Sequence, residues 1–141
     1  MPFWSRKNSR VGMDEYGRTP LWHLAAHGDI AGVLTAIAAG AKVNLADDAG
    51  YTPLHAAVHN GHIEIIKQLI AVSADVNIVD KHGNNPLWTA MLVSPKDHKH
   101  EIIRLLAATG ADPDHKNIYR KSAREVAASL GPHILELLET H

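Results

Sequence analysis

The chain has 141 residues, a formal net charge of −1 and no cysteine. This length allows one domain with a modest core. The charge balance gives no basic excess for a nucleic-acid partner. The lack of cysteine excludes disulfides, cysteine-based zinc sites and thiol catalysis. Since the chain has no apolar run of membrane-spanning length and no apolar stretch after its basic start, we expect no membrane contact, no secretory signal and a cytoplasmic location.

A motif recurs with a period of 33 residues. It reads GRTPLWHLA at 17–25, GYTPLHAAV at 50–58 and GNNPLWTAM at 83–91. The threonine of the first two copies is a good N-cap, and the proline after it fits the first position of a helix. Each copy therefore predicts a short helix of about two turns, which Gly28 and Gly61 end in the first two copies.

A second apolar block follows each copy of the motif. These blocks start at Ile30, Ile63 and His100 and carry apolar residues at helical spacing. The third unit is four residues longer than the others, and the extra residues fall within LVSPKDHKH at 92–100. We interpret that segment as an irregular loop, and its histidines either contact a partner or are simply solvated.

A weaker fourth copy runs from Asn117 to the end. Ser122 takes the place of the N-cap threonine, while Ala123 and Arg124 stand where proline and leucine occur in the other copies. A polar outer face is typical of a terminal repeat, because it has no neighbour to cover it. The fourth copy is therefore predicted to cap the array.

This pattern resembles the ankyrin repeat, through GRTPLWHLA, GYTPLHAAV, NGH at 60–62 and SADVN at 73–77. The resemblance implies an all-α solenoid of about four helix–turn–helix units with projecting β-hairpin loops. Its expected extent is 13–141, with units at 14–46, 47–79, 80–116 and 117–141. Residues 1–12 form a tail, whose Phe3 and Trp4 either cover the open side of the first unit or are disordered.

Three histidines lie close together in HAAVHNGH, at positions 55, 59 and 62. His55 and His59 are one helical turn apart and could reach one metal ion, but a third ligand would have to come past Gly61 or from the next unit. The resemblance implies instead that His55 is structural and bonds Thr52 and the neighbouring loop. We therefore predict no metal site and no cofactor.

Positions that stacking leaves free are the candidates for binding a partner. They lie at the loop tips and late in the first helix of each unit. The predicted partner-binding residues are Glu15, Tyr16, Arg18, His27, Asp48, Tyr51, His59, Asn60, Lys81, His82, Asn84 and Tyr119. The tyrosines fit a binding hot spot or pack on the adjacent loop, and both interpretations stay open. Trp22 and Trp88, which replace the structural histidine, are expected to pack on neighbouring loops.

The resemblance implies a protein that binds another protein without catalysis. No serine lies in a nucleophile context and no phosphate loop is present, so we predict no catalytic residues. An inhibitor or immunity protein that blocks a toxin or an enzyme fits this description, and so does an adaptor or stabiliser. A histidine-based metal-binding protein is the remote alternative. The free chain is expected to be a monomer.

Overall fold

The computed structural model describes residues 12–139, and every regular element in this part of the chain is an α-helix. In chain order these are α1 Pro20–His27, α2 Ile30–Ala38, α3 Pro53–Asn60, α4 Ile63–Ala71, α5 Pro86–Leu92, α6 Lys96–Ala108, α7 Ala123–Leu130 and α8 Pro132–Leu137. Consecutive helices pair, which confirms the predicted all-α solenoid of about four units. The role expected of Phe3 and Trp4 lies outside the described residues.

The units stack as two rows of helices. The first helices of the units contact one another in the order α1, α3, α5 and α7, and the second helices do so in the order α2, α4, α6 and α8. Each first helix also packs on the second helix of its own unit. Because each unit contacts only its neighbours, the core is a continuous layer between the two rows.

The first helices begin at the predicted N-caps. The side-chain oxygens of Thr19, Thr52, Asn85 and Ser122 accept the backbone N–H of the third residue that follows, at 3.0–3.2 Å. The replacement of threonine by asparagine or serine in the last two units therefore keeps the cap, as the physical chemistry of N-caps predicts.

Asparagines link the units at the ends of the second helices. Asn44 accepts the backbone N–H of Asp75 at 2.9 Å, and Asn77 accepts that of Asp112 at 2.8 Å. Asn77 also donates to the carbonyl of Gly110 at 3.1 Å. These bonds fix the spacing of the second-helix row by satisfying backbone groups that would otherwise rely on water.

Burial is greatest in the middle of the stack. All residues of 52–58 are buried, whereas α2 in the first unit buries only Val33. Leu34 on α2 is 45% exposed, while Ile66 and Leu69 of α4 are fully buried. The central units therefore hold most of the apolar core, and the first unit holds the least.

The four-residue insertion is helical, so the predicted irregular loop at 92–100 is wrong for its second half. Helix α6 has 13 residues against nine in α2 and α4, and its first turn starts at Lys96. Pro95 precedes it and accepts the backbone N–H of His98 at 3.1 Å, and the ring of His100 meets that of His133 edge-on. The acidic Asp97 in the first turn suits the N-terminal end of the helix dipole, and the helix is longer by one turn.

The last unit carries an ionic clamp on Arg124. Its guanidinium contacts Asp114 at 2.7 Å and also bonds Glu139 just beyond α8. The hydrogen bond from Arg124 holds the pKa of the Asp114 carboxyl below its usual value, and both carboxylates raise the pKa of Arg124. The arginine thus ties α7 both to the preceding loop and to the end of the described chain.

Replacing Arg124 with alanine should loosen the end of the stack. We expect hydrogen exchange to accelerate in α8 and to stay unchanged in α3, because the clamp is local. The matched control is Arg104→Ala, which removes an exposed arginine from α6. Hydrogen-exchange mass spectrometry measures the exchange of α8 and α3 in both variants. Equal exchange of α8 in the two variants would contradict a capping role for Arg124.

Ser73 follows α4 in the left-handed region, at a φ of 65°, where glycine occupies the equivalent position after α2 and α6. Side chains other than glycine cost about 1–2 kcal/mol there. We expect Ser73→Gly to raise the free energy of unfolding by about 0.5–1 kcal/mol, after the added chain entropy of glycine is subtracted. Urea unfolding measures this, with Ser129→Gly inside α7 as a control that should destabilise.

Candidate functional site

Four projecting loops share one local structure. We call residues 14–18 finger 1, 47–51 finger 2, 80–84 finger 3 and 117–121 finger 4. In each finger the side-chain oxygen of the first residue accepts the backbone N–H groups two and four residues later, at 2.8–3.0 Å. The first backbone N–H of each finger donates to the carbonyl of its last residue. Within residues 12–139 the fingers are narrow turns and contain no strand.

The acceptors in these turns are Asp14, Asp47, Asp80 and Asn117, and sequence reasoning missed their role. They recur at the same place in every unit, and aspartate and asparagine are the residues that bond their own backbone in turns. That recurrence was the available signal.

Neighbouring fingers are hydrogen-bonded to one another. The N–H groups of Asp48, Lys81 and Ile118 donate to the carbonyls of Tyr16, Ala49 and His82, at 2.8–3.0 Å. This close approach requires glycine. A Cβ on Gly50 would lie 2.8 Å from the Cα of Asp80, and both Gly50 and Gly83 have positive φ. The finger row is therefore one continuous, backbone-bonded edge.

A groove of about 290 Å³ lies between fingers 2 and 3 and helix α5. The apolar part of its wall comes from Tyr51, Trp88, Leu92 and Val93, of which Leu92 and Val93 are 50% and 44% exposed. Lys81 and His82 also line the groove, and both are exposed. An apolar pocket with polar groups around it is the usual form of a recognition site.

Nine of the twelve predicted partner-binding residues are exposed, and three are partly buried. Glu15, Tyr16, His27, Asp48, His59, Asn60, Lys81, His82 and Tyr119 lie at the surface, while Arg18, Tyr51 and Asn84 are partly buried. Their part in binding stays a prediction. Asn60 bonds the carbonyl of Ala56, and His27 bonds that of His23.

The three partly buried residues stabilise the finger row. The guanidinium of Arg18 lies 4.9 Å from the ring centre of Tyr16 and 4.5 Å from that of Trp22, and its Nε is 3.6 Å from Asp47. Asn84 accepts a hydrogen bond from the side chain of Asn117 at 2.9 Å. Such contacts between adjacent units fix the first helices against the fingers.

Tyr51 stacks on the ring of His55, with ring centres 4.9 Å apart, and meets His59 edge-on. Burial raises the pKa of the Tyr51 hydroxyl, the nearby aspartates add to this, and the hydrogen bond with Thr89 opposes it. The tyrosine therefore packs within the stack and also lines the groove.

His55 is fully buried and holds two units together. Its Nε2 donates to the carbonyl of Asn84 at 3.2 Å, and its Nδ1 accepts from the N–H of Thr52 at 3.2 Å. The hydroxyl of Thr52 lies 2.9 Å from the same nitrogen. These partners suit the neutral ring, and burial lowers the pKa of His55, although the carbonyl of Asn84 and two aspartates oppose the shift.

The other histidines of the cluster do not converge on one point. His62 precedes α4 and its Nε2 bonds the carbonyl of Ala26 at 3.0 Å, in the preceding unit. His59 is exposed on α3. Within residues 12–139, histidines and carboxylates do not form any group of three that could hold a metal. Nor is any helix in that range long and apolar enough to cross a membrane.

A family model for ankyrin repeats, in three copies, matches residues 22–117. The chain belongs to the ankyrin repeat family. No curated protein matches the chain. The family match ends at finger 4, yet this finger closes through Asn117 as the others close through aspartate, and two helices follow it. Ankyrin repeats are generally protein–protein interaction modules, and this chain presents the exposed fingers and groove that such a role needs.

The buried, neutral His55 predicts a stability that depends on pH. Its pKa is lowered in the folded state, so below about pH 6.5 the unfolded chain takes up a proton that the folded chain resists. The contribution is complete above that pH and is lost as the pH falls. We expect the free energy of unfolding to drop by up to about 1.4 kcal/mol per pH unit from this group.

Urea unfolding between pH 7.5 and 5 measures this dependence. His55→Ala should lower stability by about 2–4 kcal/mol at pH 7.5, because it leaves a cavity and unpaired backbone groups, and should reduce the pH dependence. The exposed His59→Ala is the control and should keep the dependence. An unchanged pH profile in His55→Ala would show that another group titrates.

Proposed function

We propose that this ankyrin repeat protein binds a partner protein, without catalysis, on the finger tips and the groove beside α5. The observation that carries the proposal is the placement of exposed apolar side chains. Among the described residues, the four most exposed large hydrophobic side chains are Tyr16, Leu92, Ile118 and Tyr119, at 50–67%. All four lie on the fingers or at the groove. Clustered exposed apolar groups mark interaction sites.

The arrangement of this surface supports recognition by a rigid face. The fingers are bonded to one another through their backbones, so their side chains are presented with little loss of entropy on binding. Exposed tyrosines at both ends of the finger row can supply hot-spot contacts.

An inhibitor or immunity protein is the finer form of this proposal. Binding that covers a working surface of a toxin or an enzyme is sufficient for this action and needs no catalysis by the repeat stack. An adaptor or stabiliser uses the same surface, and the two differ in what happens to the partner. We also propose that the free chain is a monomer.

Capture from the source cells tests the binding role. The wild-type chain should retain a stoichiometric partner after crosslinking, and Tyr16→Ala with Tyr119→Ala should weaken its affinity by roughly thirtyfold or more, because two hot-spot side chains are lost. The matched control is Leu34→Ala with Val72→Ala, which removes exposed apolar groups of the second-helix row. Two outcomes would contradict the proposed face: the control variant loses the partner, or the tyrosine variant retains it.

The partner's own activity separates inhibitor from adaptor. Under the inhibitor form, adding the purified chain should suppress a captured enzyme or toxin stoichiometrically, and the tyrosine variant should fail to do so. Unchanged activity in a saturated complex would favour the adaptor form.

A further inference from the structure

Charge changes sign along the finger row. The formal charge is −1 on finger 1 and −2 on finger 2, then 0 on finger 3 and +2 on finger 4, with Lys116 adjoining finger 4. The one carboxylate of finger 3, Asp80, is buried and accepts two backbone N–H groups, although the residue also lines the groove. The outer surface of fingers 3 and 4 is therefore basic.

Two cations on this basic part are available to a partner. Lys81 and Arg120 are exposed, and neither has an acidic group within 4.0 Å among residues 12–139. Lys121 is 3.8 Å from Glu125, in an exposed pair that costs little to exchange for another acid. By contrast, Arg18 on finger 1 already contacts Asp47 and two aromatic rings.

Arg120 occupies a position that favours glycine. Its φ is 61°, and the equivalent residues of the other fingers are Gly17, Gly50 and Gly83, all with positive φ. In fingers 2 and 3 a Cβ would press on the backbone of the next finger. In the described residues no finger follows finger 4, so a side chain fits there although its backbone remains strained.

The basic fingers adjoin the apolar groove. His82 lines the groove and its ring stacks on Tyr119, with centres 6.5 Å apart. Its carbonyl accepts the N–H of Ile118, which is 61% exposed. Apolar and cationic groups thus form one continuous surface from α5 to the tip of finger 4.

We propose that this surface binds an acidic segment of the partner protein, with carboxylates at Lys81 and Arg120 and an apolar side chain in the groove between Trp88 and Leu92. This inference rests on the proposed function and specifies the chemistry of the partner. Opposite charges around an apolar anchor favour both fast association and specificity.

A nucleic acid fits the same cations less well. The aliphatic groups at the surface, Leu92, Val93 and Ile118, have nothing to gain from phosphates, and protein–nucleic acid interfaces are strongly basic. Fingers 1 and 2 continue the same row with net negative charge, which would repel a polyanion laid along the whole row. A short acidic segment avoids this repulsion when its carboxylates lie at fingers 3 and 4 and only its apolar side chain lies beside finger 2. The surface therefore favours an acidic polypeptide.

A displayed library of random twelve-residue peptides, selected on the full chain, tests the inference. We expect enriched peptides to combine several Asp or Glu residues with one aromatic or aliphatic residue, and their affinity to fall as salt rises. Lys81→Glu with Arg120→Glu should weaken the best peptide by about tenfold or more, as measured by fluorescence anisotropy. The matched control, Lys42→Glu with Arg104→Glu, changes the net charge equally outside the fingers and should bind within about twofold of wild type.

Arg120→Gly separates binding from folding. Because glycine adopts positive φ without a steric penalty, this variant should have a melting temperature no lower than that of wild type and yet bind the peptide more weakly. Weaker binding only in variants that also melt earlier would overturn the inference.

Other outcomes also decide the matter. Three outcomes would overturn the acidic-partner inference: the enriched peptides are not acidic, no peptide is enriched, or both charge-reversal variants bind the peptide equally well. Capture with the tyrosine variants still tests the broader binding role. A labelled twelve-nucleotide single strand would assign the surface to nucleic acid if it binds more tightly than the best peptide and if Lys81→Glu with Arg120→Glu abolishes that binding.

Discussion

In each unit one side-chain oxygen closes the finger and so determines the shape of this exposed loop. Asp14, Asp47, Asp80 and Asn117 each accept two backbone N–H groups of their own finger, and so satisfy the backbone of a five-residue turn that lies outside the helices. With each turn closed in this way, successive fingers meet closely enough to bond through their backbones. The positions of all finger side chains follow from this constraint.

Different positions within a finger have different roles. The last residue packs on a first helix in fingers 1 and 2, as Arg18 does over Trp22 and Tyr51 over His55. The third residue points outward in fingers 1, 3 and 4, where Tyr16, His82 and Tyr119 are exposed. The same backbone thus carries stabilising contacts at one position and exposed side chains at another, because stacking occupies only one side of the turn.

The sequence period was enough to predict the helices and the N-caps Thr19, Thr52 and Ser122, since these follow from local spacing and recur in register. The structural role of His55 was implied instead by the resemblance to ankyrin repeats, because tryptophan stands at its place in the neighbouring units. The resemblance also implied that His55 bonds the neighbouring loop, and the structure places that bond at the carbonyl of Asn84. The bond between the side chains of Asn84 and Asn117 was not predicted, because it joins residues 33 positions apart. The insertion was misjudged for a related reason. Histidines and lysines in SPKDHKH were interpreted as loop residues, but one more exposed turn on an existing helix costs little.

Backbone strain is concentrated at two non-glycine residues of the described chain. Ser73 and Arg120 both adopt the left-handed conformation where equivalent residues are glycine. Ser73 has no contact that explains its presence there. Arg120 differs, because fingers 2 and 3 exclude any side chain at its position and finger 4 does not. A charged group can therefore be added to finger 4 without disturbing another described unit, which is why we propose that this finger contributes to specificity.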